Sequence, residues 1–297
     1  MSTNAKAYCA LAIVCFIWGT TFLATRIGIH SIPSFMFAAM RHIIAGIIFC
    51  STFYLRNKYI PKWTDVKTQI LIGLFMIVFA NGVVAYAVKY VGSGLATLIC
   101  SMVPIWVILI NLASTGKEKV NWQIITGSIL GFLGLTIVFR DHLAELKDPH
   151  YLWGIIIIVI ASFCWSLGTI IAKNNFSKRM HPFLASGIQI LSGGLVLAFI
   201  SPFVDDYSML KFDLKGISAL AYLIIFGSLL AFGCFSYALS KLPATIVSLY
   251  AYINPIVALI LGWLILNEKL NESIGIAAII IIGGVYLVNR GNKLQRT

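Results

Sequence analysis

The sequence predicts an all-α polytopic membrane protein with ten transmembrane helices in two inverted five-helix repeats. Three observations carry this. Hydrophobic residues make up 60% of the 297 positions and charged residues only 11%, whereas a soluble domain carries roughly 25% charged residues to face water. Apolar runs recur from end to end, each of about 18–23 residues and long enough to cross a hydrocarbon core as a helix. The second half of the chain also repeats landmarks of the first.

The runs do not alternate in polarity as barrel strands do, and a helix in lipid satisfies its own backbone hydrogen bonds. The expected spans are 7–25, 34–55, 69–88, 94–114, 122–139, 151–172, 183–203, 217–239, 244–266 and 273–289. Pro33, Pro61, Pro149, Pro182 and Pro243 sit at or near span starts, where a missing N–H costs nothing. The first run is too long for a cleavable signal and carries Trp18. The six cysteines lie in apolar runs without CxxC spacing, which reads as small apolar filling rather than metal or disulfide chemistry.

With the N-terminus in the cytoplasm, 14 Lys and Arg fall in or beside inner loops and 7 outside. This bias predicts an inner-membrane protein with both termini cytoplasmic. The net charge of +12 suits a basic face beside anionic lipid, and no nucleic-acid partner is expected.

Residues 80–105 align with 231–256 without a gap. Ala80, Gly82, Tyr86, Ala87, Pro104 and Ile105 recur as Ala231, Gly233, Tyr237, Ala238, Pro255 and Ile256. Glu118-Lys119-Val120-Asn121 recurs as Glu268-Lys269-Leu270-Asn271, and Trp18 as Trp165, each Trp followed by a Gly-Thr pair. The repeats are placed at 1–145 and 146–297. Five spans each is odd, so the second repeat enters the membrane in the opposite sense. Secondary transporters commonly use this plan, with the substrate site near mid-membrane between the halves.

Trp18-Gly19, the stretch from Tyr86 to Pro104, and Glu118-Lys119 before a Gly-rich fifth span resemble an EamA domain. Trp165, Tyr237, Pro255, Glu268-Lys269 and Gly283-Gly284 repeat the pattern. Across all ten spans the chain resembles a two-EamA-domain member of the drug/metabolite transporter superfamily. The resemblance implies a ten-helix fold around a central cavity, and export of amino acids or related metabolites.

Polar and aromatic groups inside spans are the candidates for a pathway. Trp18, Thr21 and Thr25 share one face of span 1, as Ser162, Trp165 and Thr169 do in span 6. Asn81, Tyr86 and Tyr237 mark spans 3 and 8. Tyr250 and Asn254 precede Pro255, and Ser101 precedes Pro104 and Trp106. The two prolines each free a carbonyl, a feature suited to a hinge or gate. Helix packing is the competing reading for the Ser, Thr and Gly positions, and interfacial anchoring for the tyrosines. Arg41 is the one clear charge inside a span. It could attract an anionic group or snorkel to the surface. His42 beside it reads better as a packed neutral ring than as a titrating group.

All ten Asp and Glu residues lie outside the spans. An embedded carboxylate is a common proton relay, so the sequence predicts a passive exporter or exchanger, or coupling through another group. The same absence counts against efflux of quaternary cations and multiple drugs. No span holds an Asp pair, a HExxH or a Ser-His pair, so intramembrane catalysis is not expected, and neither cofactor nor metal is predicted. A receptor or scaffold is a remote alternative. Gly127, Gly131 and Gly134 face a partner helix with Gly275, Gly283 and Gly284. Contact between spans 5 and 10 of one chain is expected, leaving a monomer or weak homodimer with a small-molecule substrate and the lipid bilayer as partners.

Overall fold

The computed structural model describes residues 3–91, 93–113, 120–138, 149–176, 180–266 and 272–294. Helices α1 (Thr3–Gly28), α2 (Ser34–Asn57) and α3 (Trp63–Ala87) are followed by α4 in two pieces, Ser93–Cys100 and Val103–Ala113, and by α5 (Trp122–Val138). The second set is α6 (Pro149–Phe176), α7 (Pro182–Val204), α8 (Leu214–Lys241), α9 in two pieces, Ala244–Val247 and Tyr250–Leu266, and α10 (Glu272–Leu294). Among the described residues, seven helices are long and apolar enough to cross a membrane, and the apolar stretches of α5 and α9 are shorter. Among the described residues there is no strand.

Several helices outrun the apolar runs. α3 begins at Trp63 rather than 69 because Thr64, Asp65 and Lys67 continue its hydrogen-bond ladder past the hydrophobic stretch. The helix caps are local and readable: the Asp213 carboxylate accepts from Gly216 N at 2.7 Å to start α8, and Asn121 Oδ1 accepts from Ile124 N at 3.1 Å to start α5. Of the two Glu-Lys tetrads, only Val120 and Asn121 lie within the described residues.

The packing follows a pseudo-two-fold axis. α1 packs on α8 and α9, and its counterpart α6 packs on α3 and α4. α2 pairs with its own counterpart α7, and α5 with α10. Backbone irregularities recur as well. Nine-residue π-helical stretches, Leu74–Gly82 and Leu223–Ala231, lie inside α3 and α8. α4 and α9 are each broken, the first at Ser101-Met102 and the second at Ser248-Leu249. Relative to the sequence repeat, the second break comes four residues earlier, about one helical turn.

Close approach of backbones holds the paired counterparts. A Cβ on Gly127 would lie 2.5 Å from the Gly284 carbonyl oxygen, and one on Gly46 would lie 2.7 Å from Leu191 Cα. The expected contact of spans 5 and 10 is therefore intramolecular. Gly283 faces open space and takes no part in it.

Hydrogen bonds secure both ends of the bundle. At the end that carries the termini, Asn121 Nδ2 donates to Gly291 O at 2.8 Å, joining α5 to α10. There Lys173 of α6 donates to Leu239 O at 2.9 Å and Leu242 O at 2.7 Å, closing on the tail of α8. At the far end, the Asp205 carboxylate accepts from the backbone N–H groups of Phe35 at 3.2 Å and Met36 at 2.8 Å. A residue just beyond α7 thereby caps the first turn of α2, whose own N-cap, Pro33, offers no side-chain bond.

Candidate functional site

A central cavity of about 1050 Å³, including its open mouth, lies between the two repeats. The second half of α1, the first half of α2, the end of α3 and the first piece of α4 wall it on one side. The middles of α6 and α8 and the start of the second piece of α9 complete it. By the direction of these helices, it runs from mid-bundle toward the far end.

Its floor is aromatic. Trp18 and Trp165, which occupy equivalent places in the two repeats, meet edge to face with ring centroids 5.4 Å apart. Tyr250 lies 4.9 Å from Trp18, and Phe232 6.3 Å from Trp165. Phe235, 1% exposed, sits one turn deeper, 5.1 Å from Trp18 and 5.7 Å from Trp165. Each such ring pair contributes about 0.5–1.5 kcal/mol beyond burial, so the cluster is a rigid plug between the cavity and the terminal end.

The π-helical stretches shape the walls. A widened turn displaces carbonyls from the regular ladder. Trp18 Nε1 donates to Gly227 O at 3.1 Å in one stretch, and Asn81 Nδ2 donates to Met76 O at 3.1 Å in the other. Asn81 Oδ1 in turn accepts from Arg41 Nη2 at 2.8 Å. Arg41 sits deep in the bundle with part of its surface opening on the cavity. Its second contact is His42 Nε2 at 3.3 Å, while His42 Nδ1 bonds Ala38 O at 2.7 Å.

Trp18, Thr21, Thr25, Arg41, His42 and Asn81 all line the cavity, as do Ser162, Trp165, Tyr250 and Asn254 from the second repeat. The remaining sequence candidates do not. Ser101 is fully buried and donates to Leu98 O. Thr169 donates to Trp165 O at 2.9 Å, and Trp106 to Ser162 Oγ at 3.0 Å. Tyr86 bonds the Tyr90 hydroxyl at 2.9 Å, and Tyr237 packs half-buried against the core. Asn254 has a structural task too: with its amide nitrogen facing the carbonyls, it donates to Cys15 O at 2.9 Å and Tyr250 O at 3.0 Å. Pro104 is the second residue of its half-helix, where it is tolerated, whereas Pro255 lies inside one. The carbonyls they leave without a helical donor belong to Cys100 and Ala251, and both residues line the cavity.

Phe22, Thr97, Ser228 and Phe232 also line it and escaped the sequence reading. Phe232 had a signal: it is the repeat counterpart of Asn81. Ser228 had none, because its counterpart is Ile77. Three residues that line the cavity each carry a buried polar atom without a well-formed hydrogen bond: Arg41 Nε, Ser228 Oγ and Trp165 Nε1, the last turned toward the Tyr250 hydroxyl. Unmet buried groups of this kind are uncommon and ask for a partner.

A helical membrane bundle of two inverted repeats around such a cavity is the architecture of a solute carrier. The chain belongs to the EamA-like transporter family, whose model matches residues 5–140 and again 152–290. It is 30% identical to the inner membrane transporter YedA of Escherichia coli strain K12, over 96% of this chain and 91% of YedA. It is 24% identical to the transporter YoaV of Bacillus subtilis strain 168, over 95% of this chain and 96% of YoaV. A solved crystal structure shares the fold with a TM-score of 0.79 at 17% identity, covering 97% of this chain and 98% of that one.

Proposed function

We propose that this chain is an inner-membrane exporter of small amphiphilic metabolites, amino acids or close relatives, working by alternating access between its repeats. The observation that carries the reading is the aromatic-floored cavity at the repeat interface. Stacking surface with a few fixed polar groups suits a cargo that is apolar at one end and polar at the other. The charge bias of the loops supports cytoplasmic termini, which makes the far end periplasmic and the described state outward-open.

Counterflow in proteoliposomes with separate panels of amino acids and cationic dyes tests this. Exchange of amino acids alone is the expected result. Exchange of the dyes alone would overturn the cargo assignment, and movement of neither would overturn transport of this class. Flux should persist when the proton gradient is collapsed, since no acidic residue falls within the apolar spans. Strict dependence on that gradient would refute uncoupled carriage.

A further inference from the structure

We propose that the cavity holds an anion subsite centred on Arg41, so that the cargo must present a carboxylate. This rests on the reading of the cavity as the cargo site. The guanidinium is buried in the bundle, and its two hydrogen-bond partners, Asn81 and His42, carry no negative charge. Among the described residues no carboxylate bonds to it. Its Nε–H has no partner, and the Ser228 hydroxyl on the facing repeat has none either. A buried cation without a counter-ion is costly, and a bound carboxylate removes that cost. Asn81 is itself anchored to Met76 O at 3.1 Å, so the guanidinium is held in place before cargo arrives. A planar fork of N–H donors matches a carboxylate, and its charge repels a cationic ligand.

The test uses the full chain in lipid nanodiscs and calorimetric titration with three matched probes. Phenylalanine carries amine and acid, 3-phenylpropionate only the acid, and phenethylamine only the amine. Both acids should bind, and phenethylamine at least about tenfold more weakly. Arg41→Gln should weaken both acids by about tenfold to a hundredfold, with Arg41→Lys intermediate. Ser228→Ala, a milder change that tests the subsite if Arg41→Gln misfolds, should weaken them several-fold. Equal binding of phenethylamine, no binding of either acid, or unchanged acid affinity in both Arg41→Gln and Ser228→Ala would overturn the subsite. An acid bound through Arg41 but never moved in counterflow would sink the transport reading and leave the subsite standing.

A different observation assigns Lys173 and Arg26 to alternating locks. Both stand eight residues after the equivalent tryptophans, Trp165 and Trp18. Lys173 closes the terminal end on the carbonyls of Leu239 and Leu242. In the repeat alignment those residues correspond to Val88 and Val91 at the tail of α3. Arg26 is exposed, and among the described residues no hydrogen bond from its side chain is found in this state, in which the cavity runs toward its end. When the repeats exchange conformations, Arg26 takes the Val88 and Val91 carbonyls as Lys173 releases its own.

Spin-label pairs at His30 with Tyr90, and at Asn175 with Lys241, read the two ends by pulsed electron resonance. Lys173→Met should lengthen the terminal-end distance and shorten the far-end one, shifting the populations about tenfold. Adding Arg26→Met should return the far-end distance to the long form. If Lys173→Met moves neither pair, or Arg26→Met leaves the shift intact, the paired locks are refuted.

Discussion

Replacing Asp205 with alanine removes the cap that one helix lends another. Its carboxylate takes the Phe35 and Met36 N–H groups at 3.2 and 2.8 Å, and Ser201 Oγ supports it from within α7 at 2.8 Å. Hydrogen bonds to a charged group contribute about 1.5–3 kcal/mol each, and a negative charge at a helix N-terminus adds about 0.3–1 kcal/mol. Asp205 is partly solvated, so screening trims the expected total to about 2–3 kcal/mol. Pro33 supplies no substitute cap. At roughly 2–4 °C per kcal/mol for a chain of this size, Asp205→Ala should lower the unfolding midpoint by about 5–10 °C. Asp205→Asn, which keeps an acceptor but not the charge, should fall between it and the parent. Intrinsic fluorescence during heating in detergent reads both. A midpoint for Asp205→Ala within about 1 °C of the parent would refute the cap as an energetic tie. Because Arg41 lies two turns into the capped helix, acid affinity should fall with the midpoint.

Gly127→Leu forces a side chain onto the Gly284 carbonyl; backbone cannot yield, and the monodisperse fraction on size exclusion should collapse. Trp18→Phe keeps a ring but loses the 3.1 Å bond to Gly227 O, which should cut counterflow about fivefold, while Trp18→Ala should abolish it. Gln189 donates to Gln69 at 2.7 Å between α7 and α3. Gln189→Leu alone should cost about 1–3 kcal/mol by orphaning Gln69, and the double Leu replacement should recover most of that in thermal melts. The bond from Gly216 N holds the Asp213 carboxyl below its usual range. Its contribution is therefore complete above the unfolded-state value and lost as pH falls through the lower folded one. Asp213→Asn should lower the neutral plateau slightly and flatten the acid limb of the stability–pH curve, so that variant and parent converge in acid.

The membrane class, the ten helices and their inverted order were legible because hydropathy and the repeat report directly on burial in lipid. The equivalent places of Trp18 and Trp165 put both on the pathway, but not the edge-to-face contact that joins them. Other assignments depended on facts that period alone does not carry. Thr169 sits one turn beyond Trp165 on the same face, yet its hydroxyl turns back to the Trp165 carbonyl. Tyr86 and Tyr237 look equivalent in sequence and lie off the cavity, Tyr86 spending its hydroxyl on Tyr90. The π-helical stretches have no composition signature, and they decide which way Asn81 and Ser228 face. The Asp205 cap was invisible for another reason: it joins residues 170 positions apart at a span edge.

The uncompensated guanidinium of Arg41 also bears on kinetics. An empty carrier must reorient with a guanidinium that has no counter-ion in a low-dielectric interior, whereas a loaded one crosses with that charge paired to the cargo's carboxylate. The empty return is then the slow leg of the cycle. Solute on the trans side should accelerate release of labelled solute from the cis side, making the carrier favour one-for-one exchange over net discharge. Equal rates of exchange and net efflux would show that the charge is compensated along the way.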